Sequence, residues 1–471
     1  MTGKTQRVAV AAVAVLLVCT ACFNVFYRLN DGIIASWDEA RHGVSALEMI
    51  ESGNYLVNTY GYKPDYFNAK PVLSFYPVVA GFKLFGKTLL GLRFFSAVAF
   101  LLTASAVALF ALRYRGPAFG LLAVGIFITS IRLITRHGAR TGDADAVFVV
   151  LYALSLFSVL APGKGFHRYF IAAFIAGLAF LSKSFHVAHL GVSLVLLFLT
   201  DYGVNARSLG RGAVCLGLAA LPVGVWAYLR MGYDGTVFFE QMLFNDVVRR
   251  VSTVMEGHNG GVYYYFIKIL QNFPVWLGGA ALLIGVSLGC ARPFSLKDLP
   301  GMFRVRGAVS RRLLLVVIVP FVMLTCSTSK LDWYLYPAFP FLSILLAEAG
   351  VCFAGRILRV HPVVRPLILL LPVLCFAAQE VVTLRNVAFM AEERDRSQEI
   401  IRETAQRDPS VPVYLFVETK KNGWRQALVM ASKMYTRKMY LLPGGKKAHD
   451  AFSGGEKVLI YDRMQAPPQG T

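Results

Sequence analysis

The feature that most limits how this chain can fold is a succession of apolar runs close to the ~20 residues that cross a bilayer as a helix. They cover about 8–26, 89–112, 117–135, 146–161, 169–182, 187–201, 213–229, 273–290, 313–327, 335–354 and 366–384. A helix that is greasy on every side must be buried or sit in lipid. The pattern therefore predicts a mainly α, polytopic helical membrane protein of about eleven spans. The first run follows Lys4 and Arg7 and lacks a small-x-small cleavage site, so it reads as a retained anchor.

Composition agrees. Of 471 residues 56% are hydrophobic and 16% charged, with a net charge of +21 and a mean hydropathy of +0.55. Lys and Arg are scattered through short loops instead of forming one stripe, which argues against nucleic acid and for membrane lipids and anionic substrates. The seven cysteines all lie in or beside apolar runs, so no disulfide framework is implied.

The short loops orient the chain by the positive-inside rule. Lys4 and Arg7, Arg113 and Arg115, Lys164 and Arg168, Arg207 and Arg211, and the 291–312 and 356–365 loops fall on one side. This predicts a multi-pass protein with its N-terminus on the inner side of the membrane and its C-terminus on the outer side. The other, outer side then holds the 28–88 segment and most unusual polar clusters. Residues 1–385 read as the transmembrane domain and 386–471 as a small soluble α/β domain outside. In the latter, 411–417 and 457–462 have strand character and 424–435 helix character.

Five polar clusters fall on the outer side. The first is Trp37-Asp38-Glu39-Ala40-Arg41-His42, opening an amphipathic helix whose apolar positions Ala40, Val44, Leu47 and Ile50 suit the membrane interface. Ser36 is its expected cap. The others are Asn68-Ala69-Lys70-Pro71, the Arg136–Asp145 turn with Arg140-Thr141-Gly142-Asp143, Glu256-Gly257-His258, and Ser329-Lys330-Leu331-Asp332-Trp333-Tyr334. Ionisable residues at membrane depth are costly enough to suggest function. Each has a bland reading too: acids at helix starts favour the dipole, lysines snorkel, and tyrosines line interfaces. His186 and His189 share a helix face but lack a third ligand.

Taken together, and in this order over about residues 1–385, these motifs resemble the GT-C membrane glycosyltransferases. The likeness is to the bacterial branch related to protein O-mannosyltransferases and the transferase that adds aminoarabinose to lipid A. The resemblance implies sugar transfer from a polyprenyl-phosphate carrier to a lipid A, glycan, lipid or protein acceptor at the outer face of the bacterial inner membrane, which would put the N-terminus in the cytoplasm and the C-terminus in the periplasm. It implies that Asp38 is the catalytic acid residue and that Asp145, or Asp143, is its second-loop counterpart. It further implies that Glu39, Arg41, Lys70, Arg140, Lys183, His258, Lys330 and Tyr334 contact the substrate phosphate or shape its pocket. One departure concerns metal. The aminoarabinose branch carries Glu before the Lys-Pro where this chain has Ala69, so a divalent cofactor is left open, with Asn68, Glu39 and His42 as substitutes.

The chemistry is coherent. Displacing phosphate from an anomeric carbon needs a carboxylate to take the acceptor's proton and fixed cations to hold the departing phosphate. A single displacement inverts the anomeric centre. A flippase or transporter of lipid-linked sugars, or a non-catalytic relative, is the alternative; charges gathered at one surface instead of at mid-bilayer weigh against transport.

Overall fold

A computed structural model describes residues 3–35, 37–161, 165–244, 248, 260–290, 307–408, 410, 412–417, 426–436, 439–443 and 458–462. Each apolar run becomes helix. The long ones are Gly3–Phe26 (α1), Leu89–Arg115, Ala206–Asp234, Ala308–Cys326, Phe339–Val360 and Arg365–Glu392. Among the described residues, seven stretches are long and apolar enough to cross a membrane, or eight if the pair Tyr264–Asn272 and Pro274–Gly289, bent by 97°, counts as one. Length and composition thus do not reproduce the expected eleven. Pro117–Ile128 and Asp145–Leu160 are helices of 12 and 16 residues. At 1.5 Å per residue the former falls well short of a ~30 Å core.

Two boundaries have local causes. The 117–135 run breaks after Ile128 because the Thr129 and Ser130 hydroxyls turn back onto the carbonyls of Gly125, Ile126 and Phe127. A separate short helix, Ile131–Thr135, follows. His167–Lys183 and Ala188–Tyr202 are joined by a 3₁₀ turn at Ser184–Val187. Cys19, Cys22, Cys215, Cys326, Cys352 and Cys375 are free.

Helix α2, Asp38–Ser52, corrects the sequence reading. An interfacial helix should keep one side wet, yet every residue from Glu39 to Met49 is buried. The C-terminal helix Gln426–Tyr435 covers its other side: a Cβ on Gly43 would lie 2.6 Å from Met430 Cε, and Lys433 Nζ reaches Glu48 at 2.9 Å. Ser36, the expected cap, lies outside the described residues. The N-cap position is Trp37, which makes no side-chain capping bond.

The C-terminal segment holds strands Val413–Val417 (β3), Met439–Pro443 (β4) and Val458–Asp462 (β5) after the hairpin pair Thr59–Tyr60 (β1) and Lys63–Pro64 (β2). β3 is central and parallel to both neighbours. The edge strand β4, second of the three in the chain, and helix Arg396–Arg407 were not expected. The last apolar helix runs on to Glu392, past the boundary drawn at 385. The tail also docks through Gln398, which exchanges two hydrogen bonds with the Ile34 backbone.

Candidate functional site

The start of α2, the 136–145 turn, the 183–187 turn and the 327–338 turn meet at one end of the helices. Asp38 opens α2 with its side chain 38% accessible, and its Oδ2 lies 3.6 Å from His137 Nδ1. The same imidazole nitrogen lies 2.9 Å from Asp143 Oδ2. His137 stacks on Trp333 with centroids 3.7 Å apart, and Tyr336 Oη donates to the Arg136 carbonyl. These contacts bind the last turn to the second.

Asp145 starts the next helix and is paired with Lys183 in the buried interior. Lys183 Nζ also lies 5.3 Å from the Tyr334 ring centre, and the His186 ring packs edge-on against Tyr334 at 4.2 Å. The Ser74 hydroxyl donates to the Ser182 carbonyl at 2.5 Å, tying the first outer segment to the Lys183 turn. Asp38, Asp143, Asp145, Lys183 and Tyr334 are therefore brought together. Lys70 is close enough for its charge to act on both Asp38 and His42.

Charge follows geometry. Burial pushes the Asp38 carboxyl up, but His137, His42, Lys70 and Lys183 outweigh it and hold its pKa below the usual carboxylate value. Burial pushes His137 down, yet the bond to Asp143 and the charges of Asp143, Asp38 and Asp145 raise it to about 9. Burial lowers His42 and dominates there. Its Nδ1–H donates to the Asp38 carbonyl at 2.6 Å when that nitrogen carries the proton. Asp38 is thus an accessible, ionised carboxylate with a cationic imidazole beside it.

Other expected site residues are used elsewhere. Glu39 is buried and accepts from Arg93 Nε (2.7 Å) and Nη2 (3.0 Å), Gly142 N (2.9 Å) and Ala35 N (2.7 Å). Arg41 pairs not with Asp38 but with Asp65, through two bonds of 2.7 and 2.6 Å. Arg140 donates to the carbonyls of Asn24, Val25 and Arg28, closing the end of α1. Lys330 Nζ donates to the Ser327 carbonyl within its own turn. His258 lies outside the described residues.

Of the residues named from the sequence as metal substitutes, Glu39 is saturated by its four donors, while Asn68 and His42 stand outside the one metal-like cluster among the described residues. Among the described residues, His137, Asp143 and Asp145 place one ligand atom each within 4.8 Å of one another. Asp143 Oδ1 is buried without a hydrogen-bond partner, so two carboxylates and the His137 imidazole, which must release its proton to ligate, fit a divalent ion there. His186 and His189 do not form a pair: His186 meets Tyr334, and His189 Nδ1 faces Tyr152 Oη at 3.1 Å.

Sequence reasoning assigned no role to His137, Trp333 or Arg93. The first two stand inside motifs already singled out, and Arg93 is an arginine at the head of an apolar helix, itself a signal. Asp332 accepts from Arg132 Nη1 at 2.5 Å, with Arg136 3.8 Å away.

The chain matches the family described as dolichyl-phosphate-mannose-protein mannosyltransferase over residues 69–226. An undecaprenyl phosphate-alpha-4-amino-4-deoxy-L-arabinose arabinosyl transferase from Shewanella sediminis is 24% identical over 333 residues, covering 69% of this chain and 58% of the relative. The enzyme of that name from Edwardsiella ictaluri is 26% identical over 329 residues, covering 66% and 54%. The chain thus spans less than two thirds of the length of these relatives. In structure it is similar to ArnT from Cupriavidus metallidurans bound to undecaprenyl phosphate, with a TM-score of 0.67, 20% identity, and 90% and 85% of the two chains covered. The Archaeoglobus fulgidus oligosaccharyltransferase in its apo form gives 0.56, 12%, and 92% and 64%. The likeness read from the motifs is therefore shown, and the fold is that of polytopic helical membrane proteins of this group.

Proposed function

We infer that the protein is an inverting glycosyltransferase that moves a sugar from a polyprenyl-phosphate carrier to a hydroxyl acceptor at the outer face of a bacterial inner membrane. The observation that carries this reading is an accessible carboxylate, Asp38, held ionised beside His137, Lys70 and Lys183 at the end of a lipid-embedded helical fold. Asp38 takes the acceptor hydroxyl's proton as that oxygen attacks the anomeric carbon, and the carrier phosphate leaves from the opposite face. Lys183 and Lys70 supply positive charge where the phosphate gains negative charge. Glu39, fixed by Arg93 and Gly142, positions Asp38 against the 136–145 turn.

A divalent ion held by His137, Asp143 and Asp145 would add Lewis-acid stabilisation of that phosphate. The basic loops support a cytoplasmic N-terminus and a periplasmic 386–471 unit. The ArnT likeness supports an undecaprenyl-phosphate donor.

The test is transfer by purified protein in nanodiscs, given radiolabelled polyprenyl-phosphate sugars and a membrane extract, with Asp38→Asn and chelator arms. Transfer that needs Asp38 supports the reading. No transfer from folded protein with any donor overturns it.

A further inference from the structure

The helices enclose a cavity of about 800 Å³ that no step of the transfer uses. Its walls come from α1, Pro117–Ile128, Pro274–Cys290, Phe339–Val360 and Arg365–Glu392, and Arg115 is the charged member of an otherwise apolar lining. The cavity lies at the end of the helices opposite Asp38. Helix Leu89–Arg115 carries Arg93, paired with Glu39, near its start and Arg115 at its finish. Its 27 residues put those two ends about 40 Å apart.

On the Asp38 side the cavity has a polar floor. The Trp276 indole N–H donates to the Thr129 hydroxyl at 3.0 Å. Gln379 Nε2 donates to the carbonyls of Thr129 and Asn272 at 3.1 and 2.9 Å, and its Oε1 accepts from Val275 N at 3.0 Å. This knot sits where helix Pro117–Ile128 stops. Glycines make the space above the floor: a Cβ added at Gly350 or Gly355 meets nothing within 4 Å. At the far end Arg115 pairs with Glu348. Arg359, next to the lining residue Leu358, and Arg365, one turn before the lining residue Ile368, are exposed and make no ion pair among the described residues.

We propose that this cavity holds one acyl chain of an anionic glycerophospholipid from the leaflet remote from Asp38, with the lipid phosphate facing Arg115, Arg359 and Arg365. An apolar void stays dry, and its walls forfeit dispersion contacts unless a chain fills it. The wall from Leu346 to Leu358 is about 18 Å of helix, close to one leaflet of a ~30 Å core. A polyprenyl carrier must present its phosphate at Asp38, beyond the floor, so it enters from the wrong end. Three arginines against one glutamate select a negative headgroup.

The test titrates protein in detergent micelles with phosphatidylglycerol carrying brominated acyl chains, which quench tryptophan on contact. The Trp276 signal is the difference between the unsubstituted protein and Trp276→Phe. The expected result is saturable quenching of that signal. Gly350→Leu, which fills the cavity, weakens it about tenfold, and Gly355→Leu on the same wall does the same should the first variant not fold. Arg359→Gln and Arg365→Gln each weaken it about fivefold. Quenching that is absent or never saturates, that is unchanged in the leucine variants, or that phosphatidylcholine with the same chains matches, overturns the proposal. Displacement by polyprenyl phosphate as effective as by unbrominated phosphatidylglycerol assigns the cavity to the carrier and overturns it too. The assay reads no transfer, so its outcome is independent of the transferase reading.

Discussion

Glu39 and Arg93 form a buried pair in which the guanidinium Nε meets the carboxylate at 2.7 Å, with both side chains 1% exposed. Arg93 donates in addition to the carbonyls of Leu29, Asp31 and Ile33. One ion pair thus joins the end of α1, the start of α2, the helix from Leu89 and the 136–145 turn. Glu39→Ala should leave a buried cation unpaired at a cost of about 3–5 kcal/mol. The check is thermal unfolding in detergent; an unchanged transition would mean that the pair does not hold these elements.

Asp38 stands next to this anchor but is only partly enclosed. Asp38→Asn keeps volume and should leave thermal stability nearly unchanged, while transfer falls by about 10²–10⁴-fold. Near-normal turnover in this variant removes Asp38 as the base.

His137 gives a pH signature. Its folded pKa of about 9 exceeds the ordinary value of about 6.5, so the stability it contributes is fully present below about 6.5 and is lost as pH rises towards 9. Melting temperature measured in chelator from about pH 6 to 9.5 should decline over that window, and His137→Gln should remove the decline. Parallel curves for the two proteins would contradict the assignment.

The same residue reports metal. If His137, Asp143 and Asp145 hold a divalent ion, zinc or manganese raises the melting temperature of the unsubstituted protein but not of His137→Ala or Asp143→Ala. A shift equal in all three places any bound ion elsewhere.

Lys433 tests the tail. It pairs with Glu48 and lies 3.9 Å from the Tyr62 ring centre, so Lys433→Met removes a charged hydrogen bond worth about 1.5–3 kcal/mol. Limited proteolysis should then release the segment after Glu392 faster, with the helical part intact. Unchanged release rates would show that other contacts hold it.

Sequence alone determined the class of fold and singled out the residues of the candidate site's centre. Apolar runs of bilayer length leave a chain no alternative to helices in lipid, and charges are too costly there to collect at one end without reason. That is why Asp38, Asp143, Asp145, Lys183 and Tyr334 stand out in the sequence as candidates that the fold then brings near one another. Tertiary structure decided what each charge does, because partner choice depends on distances between residues remote in sequence. Arg41 found Asp65 and Glu39 found Arg93, while Arg140 closed α1. His137, a single histidine in a loop, became the link between Asp38 and Asp143 only when the turns met. The burial of α2 was likewise invisible to its amphipathic pattern, since the helix that covers its polar side lies hundreds of residues away in the chain.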